Sequence, residues 1–286
     1  AASDVYKRQL MPELPEVETT KLSLAPLLGL RVQGVQYSGH RLREPIPDLS
    51  PLIGATFVKV TRRAKYLLLE FKNERTFKLL VHLGMSGSLG QYENLPPRKH
   101  DHVVLDFGDY SLHYHDPRRF GIIAWADDNL RYLAKLGIEP LTAEFNADYL
   151  YHKIHQSNKG DNRPITRPIK AVIMEQAIVV GVGNIYASES LFLARIHPKT
   201  PAHLLSKAEL KTLITHIKAV LNHSITVGGS TLRDFTVADG KNGYFQQTLN
   251  VYGRAGKPCP NCHLPLENTK IAGRASVFCP HCQPML

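Results

Sequence analysis

All four cysteines of this 286-residue chain fall in its last 28 residues, as Cys259-x-x-Cys262 and Cys279-x-x-Cys282 with sixteen residues between the pairs. Each pair can place two thiolates on one face of a tight turn, and two pairs complete the tetrahedron that Zn²⁺ takes in a closed structural site. Free thiols or a disulfide pair are the competing readings, but no cysteine elsewhere supports a disulfide framework, and clustered thiols suit a reducing compartment. Four protein ligands leave no position for a catalytic water, so the expected single zinc is structural. The tail must then fold as a hairpin with two knuckles, residues 276–278 being the strand into the second. Lys270 and Arg274 lie within it. A short basic ribbon of this kind can reach a nucleic-acid groove, or can simply be a solvated face.

The rest of the composition points the same way. Net charge is +10, and removing Lys7, Arg8 and Asp4 of the first ten residues leaves +9. Such an excess suits a polyanion, because each Lys or Arg on a phosphate releases a counterion. At 286 residues two domains are the natural expectation, and 43% hydrophobic residues with no long apolar run argue for a soluble globular chain without a membrane span. Residues 1–10 lack the apolar centre and cleavage pattern of a secretory signal. They read as a non-native extension, and the natural start is expected at Met11.

Residues 31–126 carry strand patterns. Runs at 56–60, 66–71, 77–82, 102–107, 110–115 and 122–125 are separated by turn residues, with Gly108-Asp109 as a hairpin turn. After Gly137 the pattern becomes helical, with candidates at 144–156, 168–178, 185–195 and 206–227. The last has a capping box in Ser206 and Glu209 and a stop at Gly228-Gly229. Strands followed by helices make an α+β chain, with a sandwich or barrel first.

Several loops carry unusual chemistry. Val180-Gly-Val-Gly-Asn184 has two of the glycines of a dinucleotide fingerprint, but Tyr186 stands where the third belongs, so that reading fails. The glycines suit either a phosphate site at a helix start, with Asn184 as added donor, or a plain interhelical turn. His82-Leu-Gly-Met85-Ser-Gly-Ser88 and Asp116-Pro-Arg118-Arg119-Phe120-Gly121 join flexible turns to bulky side chains. Met85 and Phe120 are ordinarily core residues, yet apolar wedges beside arginines can also unstack a base step. The histidines at 82, 100, 102, 113 and 115 could form a catalytic metal site, but strand-surface or phosphate-contacting roles fit better.

The stretch Met11-Pro-Glu-Leu-Pro-Glu-Val-Glu18 can be an acidic helix start, with Pro15 in the first turn and Val17, Leu24 and Leu28 at helical spacing. Clipping Met11 would give it a second role. Pro12 would then carry a free secondary amine able to attack a carbon of aldehyde character, with Glu13 beside it to move protons. If residues 1–11 are retained, Pro12 is an ordinary amide and this chemistry is blocked.

These stretches, together with Arg62-Arg-Ala-Lys65-Tyr-Leu-Leu-Leu-Glu70 and Lys99-His-Asp-His102, follow one another in the order found in bacterial formamidopyrimidine-DNA glycosylases. The chain resembles that family from Pro12 to Cys282. The resemblance implies a two-sheet β-sandwich catalytic domain with an N-terminal helix (12–137), a helix–two-turn–helix DNA-binding domain with a lesion loop (138–245) and a zinc finger (246–286). It implies a monomeric glycosylase and AP lyase of base excision repair, acting in the bacterial cytoplasm, at the nucleoid, on double-stranded DNA with oxidised purines. Pro12 matches the nucleophile, Glu13 the general acid/base, Lys65 the lysine that assists β-elimination, and Arg274 the zinc-finger arginine assigned to δ-elimination. Met85, Arg118 and Phe120 match residues that fill the gap left by an extruded nucleotide, with Arg118 facing the orphaned cytosine. His100, Arg119 and Asn184 match DNA-backbone contacts, residues 230–235 match the lesion-capping loop, and Cys259, Cys262, Cys279 and Cys282 match the zinc ligands. Leu14 with Met85, Arg118 and Phe120 favours the purine-type enzyme over the related endonuclease VIII type. A non-catalytic zinc-dependent binder of damaged DNA is the alternative from another class, and a histidine-based metal hydrolase a third.

Overall fold

The computed structural model describes residues 12–126, 130–156, 163–228 and 249–285. They divide into two units, one lying before residue 135 and one joining 135–226 to the tail.

Alternation of apolar and polar side chains builds the first unit. Its strands are β1 (Gly34–Tyr37), β2 (Thr56–Arg63), β3 (Tyr66–Lys72), β4 (Thr76–His82), β5 (Ser88–Glu93), β6 (Asp101–Asp106), β7 (Tyr110–His115) and β8 (Ile122–Trp125). They pair antiparallel in two sheets, β1-β6-β7-β5 and β2-β3-β4-β8. In β3, Leu67, Leu69 and Phe71 point inward and meet Leu89, Val103, Leu105 and Leu112 of the facing sheet. Its outward Tyr66 and Leu68 are covered by Leu80, Ile122, Tyr132 and Leu133, so the continuous apolar run is packed on both faces. Helix α1 (Leu14–Ser23) sends Val17 into the same core.

Three sequence expectations change here. Strands β1 and β5 carried no clear alternation, and β5 begins inside the stretch read as a loop. Leu28 is exposed while Leu24 and Leu27 are buried, because α1 stops at Ser23 and the tighter 3₁₀ turn Ala25–Leu27 shifts the phase.

The second unit contains α2 (Ala147–His155), α3 (Ile169–Ile173), α4 (Asn184–Leu193), α5 (Lys207–Thr226) and the hairpin β9 (Glu267–Ile271) with β10 (Arg274–Phe278). The expected cap of α5 is present, with Ser206 N and Oγ donating to Glu209 Oε2 at 2.8 and 2.7 Å. Leu210, Leu213, Ile214, Ile217 and Leu221 form its buried stripe. Gly228 follows with φ +87°, while Gly229 and the lesion-loop stretch 230–235 lie outside the described residues.

The helix expected over 168–178 shrinks to five residues. Beyond it the chain wraps the backbone of Gly137, whose amide donates to Gln176 O at 2.7 Å. A side chain at 137 would lie 2.4 Å from Ile178 O, so only glycine permits this path. Among the described residues, no helix is long and apolar enough to cross a membrane.

Candidate functional site

Pro12 is buried at the foot of α1, where Glu13 is the N-cap and donates its amide to Glu16 Oε2 at 2.9 Å. Pro15 in the first turn has no amide to leave unpaired. One turn on, Glu18 accepts from Arg62 Nε at 2.6 Å and from Lys21. Burial pushes the Glu18 pKa up, but the hydrogen bonds from Lys21 and Arg62 outweigh it and leave the carboxyl lowered. Arg62 also donates to Ala64 O at 3.0 Å. Ala64, with φ +55°, makes the tight β2–β3 turn that presents Lys65. A polar chain therefore runs from the helix that follows Pro12 to the turn of Lys65.

His82 stands at the end of β4. Burial, and then the charges of Lys65 and Arg43, lower its pKa to about 4, so it is neutral at pH 7 and its Nδ1 accepts the Gly84 amide at 3.0 Å. The loop after it approaches the 116–121 loop backbone to backbone. A side chain at Gly84, where φ is +67°, would lie 2.6 Å from Phe120 C and Gly121 N. This contact brings the Met85 loop against the loop that carries Arg118 and Phe120. Phe120 is 46% exposed, and the Arg118 guanidinium lies 5.0 Å above its ring. Arg119 is exposed with φ +58°, and His100, part-exposed, has φ +73°.

The histidines depart from expectation. His102 and His113 are 1% and 0% exposed, so neither is a strand-surface group or a phosphate contact. Asp101, which the sequence reading gave no role, organises them. Its carboxylate accepts from His113 Nδ1 at 2.8 Å, His115 Nδ1 at 2.9 Å and Arg98 Nε at 3.1 Å. Burial raises the Asp101 pKa, but these bonds outweigh it and hold the carboxyl well below the usual range. His102 spans from Ser38 Oγ at 2.8 Å to Asp116 O at 2.9 Å. These are structural hydrogen bonds, and among the described residues the tail cysteines alone group as metal ligands.

In the second unit, Gly183 caps α4 and Asn184 opens it. The Gly181 amide donates to Gln176 Oε1 at 2.8 Å, so it is used internally and does not help form a phosphate cradle. Asn184 Nδ2 donates to Ala275 O at 3.1 Å, which puts it beside Arg274, exposed at the start of β10. Lys170, fully buried, reaches Ser276 Oγ at 2.7 Å. Glu189, 3% exposed, accepts from the amides of Asn250, Val251 and Tyr252 at 2.8–2.9 Å. Neither residue was singled out from the sequence; partners 61 to 106 positions away leave no local signal.

The sulfurs of Cys259, Cys262, Cys279 and Cys282 all lie within 4.8 Å of one another. The Cys259–Cys282 and Cys262–Cys279 separations are 3.9 and 3.4 Å, near the edge of about 3.8 Å that Zn–S bonds of about 2.3 Å give a tetrahedron. Amides of Asn261 and Cys282 point at Cys259 and Cys279 Sγ, both at 3.4 Å, which favours the thiolate form. The donor set fits one structural zinc.

Three family models match the chain in succession: the formamidopyrimidine-DNA glycosylase N-terminal domain over 11–123, its H2TH domain over 136–236, and a zinc finger found in FPG and IleRS over 256–284. The formamidopyrimidine-DNA glycosylases of Psychrobacter arcticus and Acinetobacter baylyi are each 53% identical, over 96% of this chain and 99% of their own. The chain belongs to the formamidopyrimidine-DNA glycosylase family. As a member it is a DNA glycosylase of base excision repair. Solved structures agree. The Lactococcus lactis Fpg (MutM) in complex with N7-benzyl-Fapy-dG DNA is 34% identical, with TM-score 0.82, over 96% of this chain and 100% of that one. Thermus thermophilus MutM (FPG) is 37% identical, with TM-score 0.82 and the same coverage. The N-terminal glycosylase-domain match takes in the Pro12 helix, the Lys65 turn and the loops of Met85 and Phe120, while the zinc-finger match spans all four cysteines and Arg274.

Proposed function

We propose that this glycosylase removes oxidised purines, 8-oxoguanine and formamidopyrimidines, from double-stranded DNA and cleaves the strand through a Schiff base on Pro12. The observation that carries the reading is the placement of Pro12: buried, next to Glu13 at the foot of α1, and joined through Glu18 and Arg62 to the turn of Lys65. The amine requires a chain that begins at Pro12, since a preceding residue converts its nitrogen to an amide.

A base inside a duplex hides its glycosidic bond, so the nucleotide must be extruded at a cost of a few kcal/mol. Met85, Arg118 and Phe120 would fill the gap, with His100, Arg119 and Asn184 gripping the backbone. The Pro12 nitrogen then attacks C1′, and the glycosidic pair leaves with the base, which takes up a proton. Glu13 protonates the ring oxygen as the sugar opens, leaving an iminium at C1′. That cation acidifies C2′–H. Loss of this proton, assisted by Lys65, expels the 3′ phosphate, and a second elimination, assisted by Arg274, expels the 5′ phosphate. Water finally releases the sugar fragment and restores the amine. Every step is acid–base or covalent chemistry of the chain's own groups, the Pro12 amine and side chains, and zinc held by the four cysteines would supply only the shape of the hairpin.

Functionally, we divide the chain into a catalytic sandwich (12–137), a helical DNA-binding part (138–245) and the zinc finger (246–286). The protein would work as a monomer at the bacterial nucleoid. Borohydride trapping on an 8-oxoguanine:cytosine duplex tests the reading, comparing protein that begins at Pro12 with the 286-residue chain. A covalent adduct mapped to Pro12, formed only with the free terminus, is expected. Tight lesion binding without an adduct from the Pro12 form would leave a non-catalytic damage binder instead.

A further inference from the structure

Asp116 has no exposed surface, yet it lies among loops that are themselves exposed. Its Oδ1 accepts from Ser86 Oγ at 2.6 Å and from the Arg118 amide at 3.2 Å, and its Oδ2 from the Gly121 amide at 2.9 Å. Its own amide donates to His100 O at 3.0 Å, and its carbonyl accepts from the Arg119 amide at 3.2 Å and from His102 Nε2 at 2.9 Å. One buried residue thus bonds to the loop of Met85, the loop of Arg118, Arg119 and Phe120, and the turn of His100.

We propose that Asp116 is the positioning residue that makes these three loops one rigid wedge, holding Met85, Arg118 and Phe120 in register with the backbone contacts His100 and Arg119. The proposal rests on the DNA-reading role given to those five residues above. Two observations show that the arrangement needs holding. His100 and Arg119 both sit in the left-handed region, at φ +73° and +58°, where a non-glycine residue is strained unless its surroundings fix it. Each is bonded to the main chain of Asp116. The approach of Gly84 to Phe120 leaves no room for a spacer, so the side-chain link through Ser86 sets how the two wedge loops meet.

A carboxylate is required by the donor count. Ser86 Oγ–H and two amide N–H groups converge on the two oxygens. An asparagine offers one oxygen. If that oxygen stays on Gly121, its NH₂ can still donate to Ser86 but faces the Arg118 amide, donor against donor. The reverse orientation leaves Gly121 unpaired. Either way the 116–121 loop loses one of its two amide bonds to the side chain while volume is preserved.

The test uses the full chain and a duplex carrying 2-aminopurine beside an 8-oxoguanine, whose fluorescence rises when the base step opens. At saturating protein the wild type gives the full rise. Asp116→Asn and Ser86→Ala are each expected to give a reduced amplitude, with Ser86→Thr, which keeps the hydroxyl, restoring it. Affinity for the lesion duplex should fall about tenfold in Asp116→Asn, the worth of one lost buried hydrogen bond, while affinity for undamaged DNA, dominated by phosphates, changes less. A general loss of structure would lower both affinities together and would not respond to Ser86→Thr. If Asp116→Asn fails to fold, the Ser86 pair decides alone. Wild-type amplitude in both Asp116→Asn and Ser86→Ala would overturn the proposal. Tight lesion binding by the wild type without any fluorescence rise would overturn the wedge reading beneath it. No arm depends on a free Pro12, so failure of the Schiff-base step is a separate result.

Discussion

The β-sandwich and the zinc hairpin solve the same problem, burial of a strand face, by different means. The sandwich closes two four-stranded sheets on a core in which Phe57 and Phe71, both without exposed surface, stack at 4.9 Å. The hairpin has two five-residue strands, and its apolar cluster is Val251, Leu266 and Val277 with the cysteines, completed by Phe192 of α4. So little apolar area cannot offset the entropy of ordering the chain. It relies on metal and on long-range polar bonds: Glu189 to three successive amides, Gln283 Nε2 to Ile196 O at 2.7 Å, and buried Lys170 to Ser276. Hydrophobic area makes the larger unit self-sufficient. The hairpin is held by directional bonds and its metal site.

That contrast can be broken most sharply at the metal. Stripping zinc, or Cys279→Ser, should unfold the hairpin outright, since structural sites of this type supply on the order of 10 kcal/mol of folding energy. The sandwich should keep its melting transition; calorimetry with and without chelator would show one transition lost and one retained. A shift of both together would mean that the two regions are not separable in stability.

The reciprocal change is Phe71→Ala, which should cost the sandwich about 4 kcal/mol through lost transfer energy and a residual cavity. Zinc content by metal analysis should remain at one per chain. Next comes Glu189→Ala, which leaves the buried amide of Val251 and the part-buried amides of Asn250 and Tyr252 without their acceptor and should loosen the hairpin by about 3 kcal/mol. Hydrogen exchange at residues 250–252 would report it, and an unchanged exchange rate would show the anchor to be dispensable.

The smallest effect at any one step is spread over pH. His82 titrates at about 4 in the folded chain against 6.5 when unperturbed. The unfolded chain therefore binds the proton first, and stability falls as pH drops from 6.5 to about 4, by at most about 1.4 kcal/mol per pH unit. Above 6.5 this contribution is flat. His82→Gln should remove that slope from the sandwich transition and leave the hairpin's unaffected; a slope that persists would locate the proton elsewhere.

Legibility followed the range of the interactions. The cap of α5, the Gly108 hairpin, the zinc knuckles and the alternating strands are set by neighbours in sequence, and the structure has each of them. The residues proposed as wedge and phosphate contacts stand out only as parts of ordered motifs, because Met85, Phe120 and Asn184 taken singly are indistinguishable from core or turn residues. Edge strand β1, half-exposed, left no period to read. The histidines misled for a related reason: a buried His102 and a surface one have the same spelling, and it is Ser38 and Asp116, 64 and 14 positions away, that make this one structural.

The sequence by itself determined the order of parts, the metal site, the basic charge and the Pro-Glu helix start at 12–13, since all of these are properties of residue type and spacing. Only the tertiary structure decided what Asp101, Asp116 and Glu189 bond to: His113 and Arg98, Ser86 and Gly121, and the chain at Asn250. A carboxylate's role depends on which donors surround it once water is excluded, and those donors come from distant segments that only the folded chain brings together.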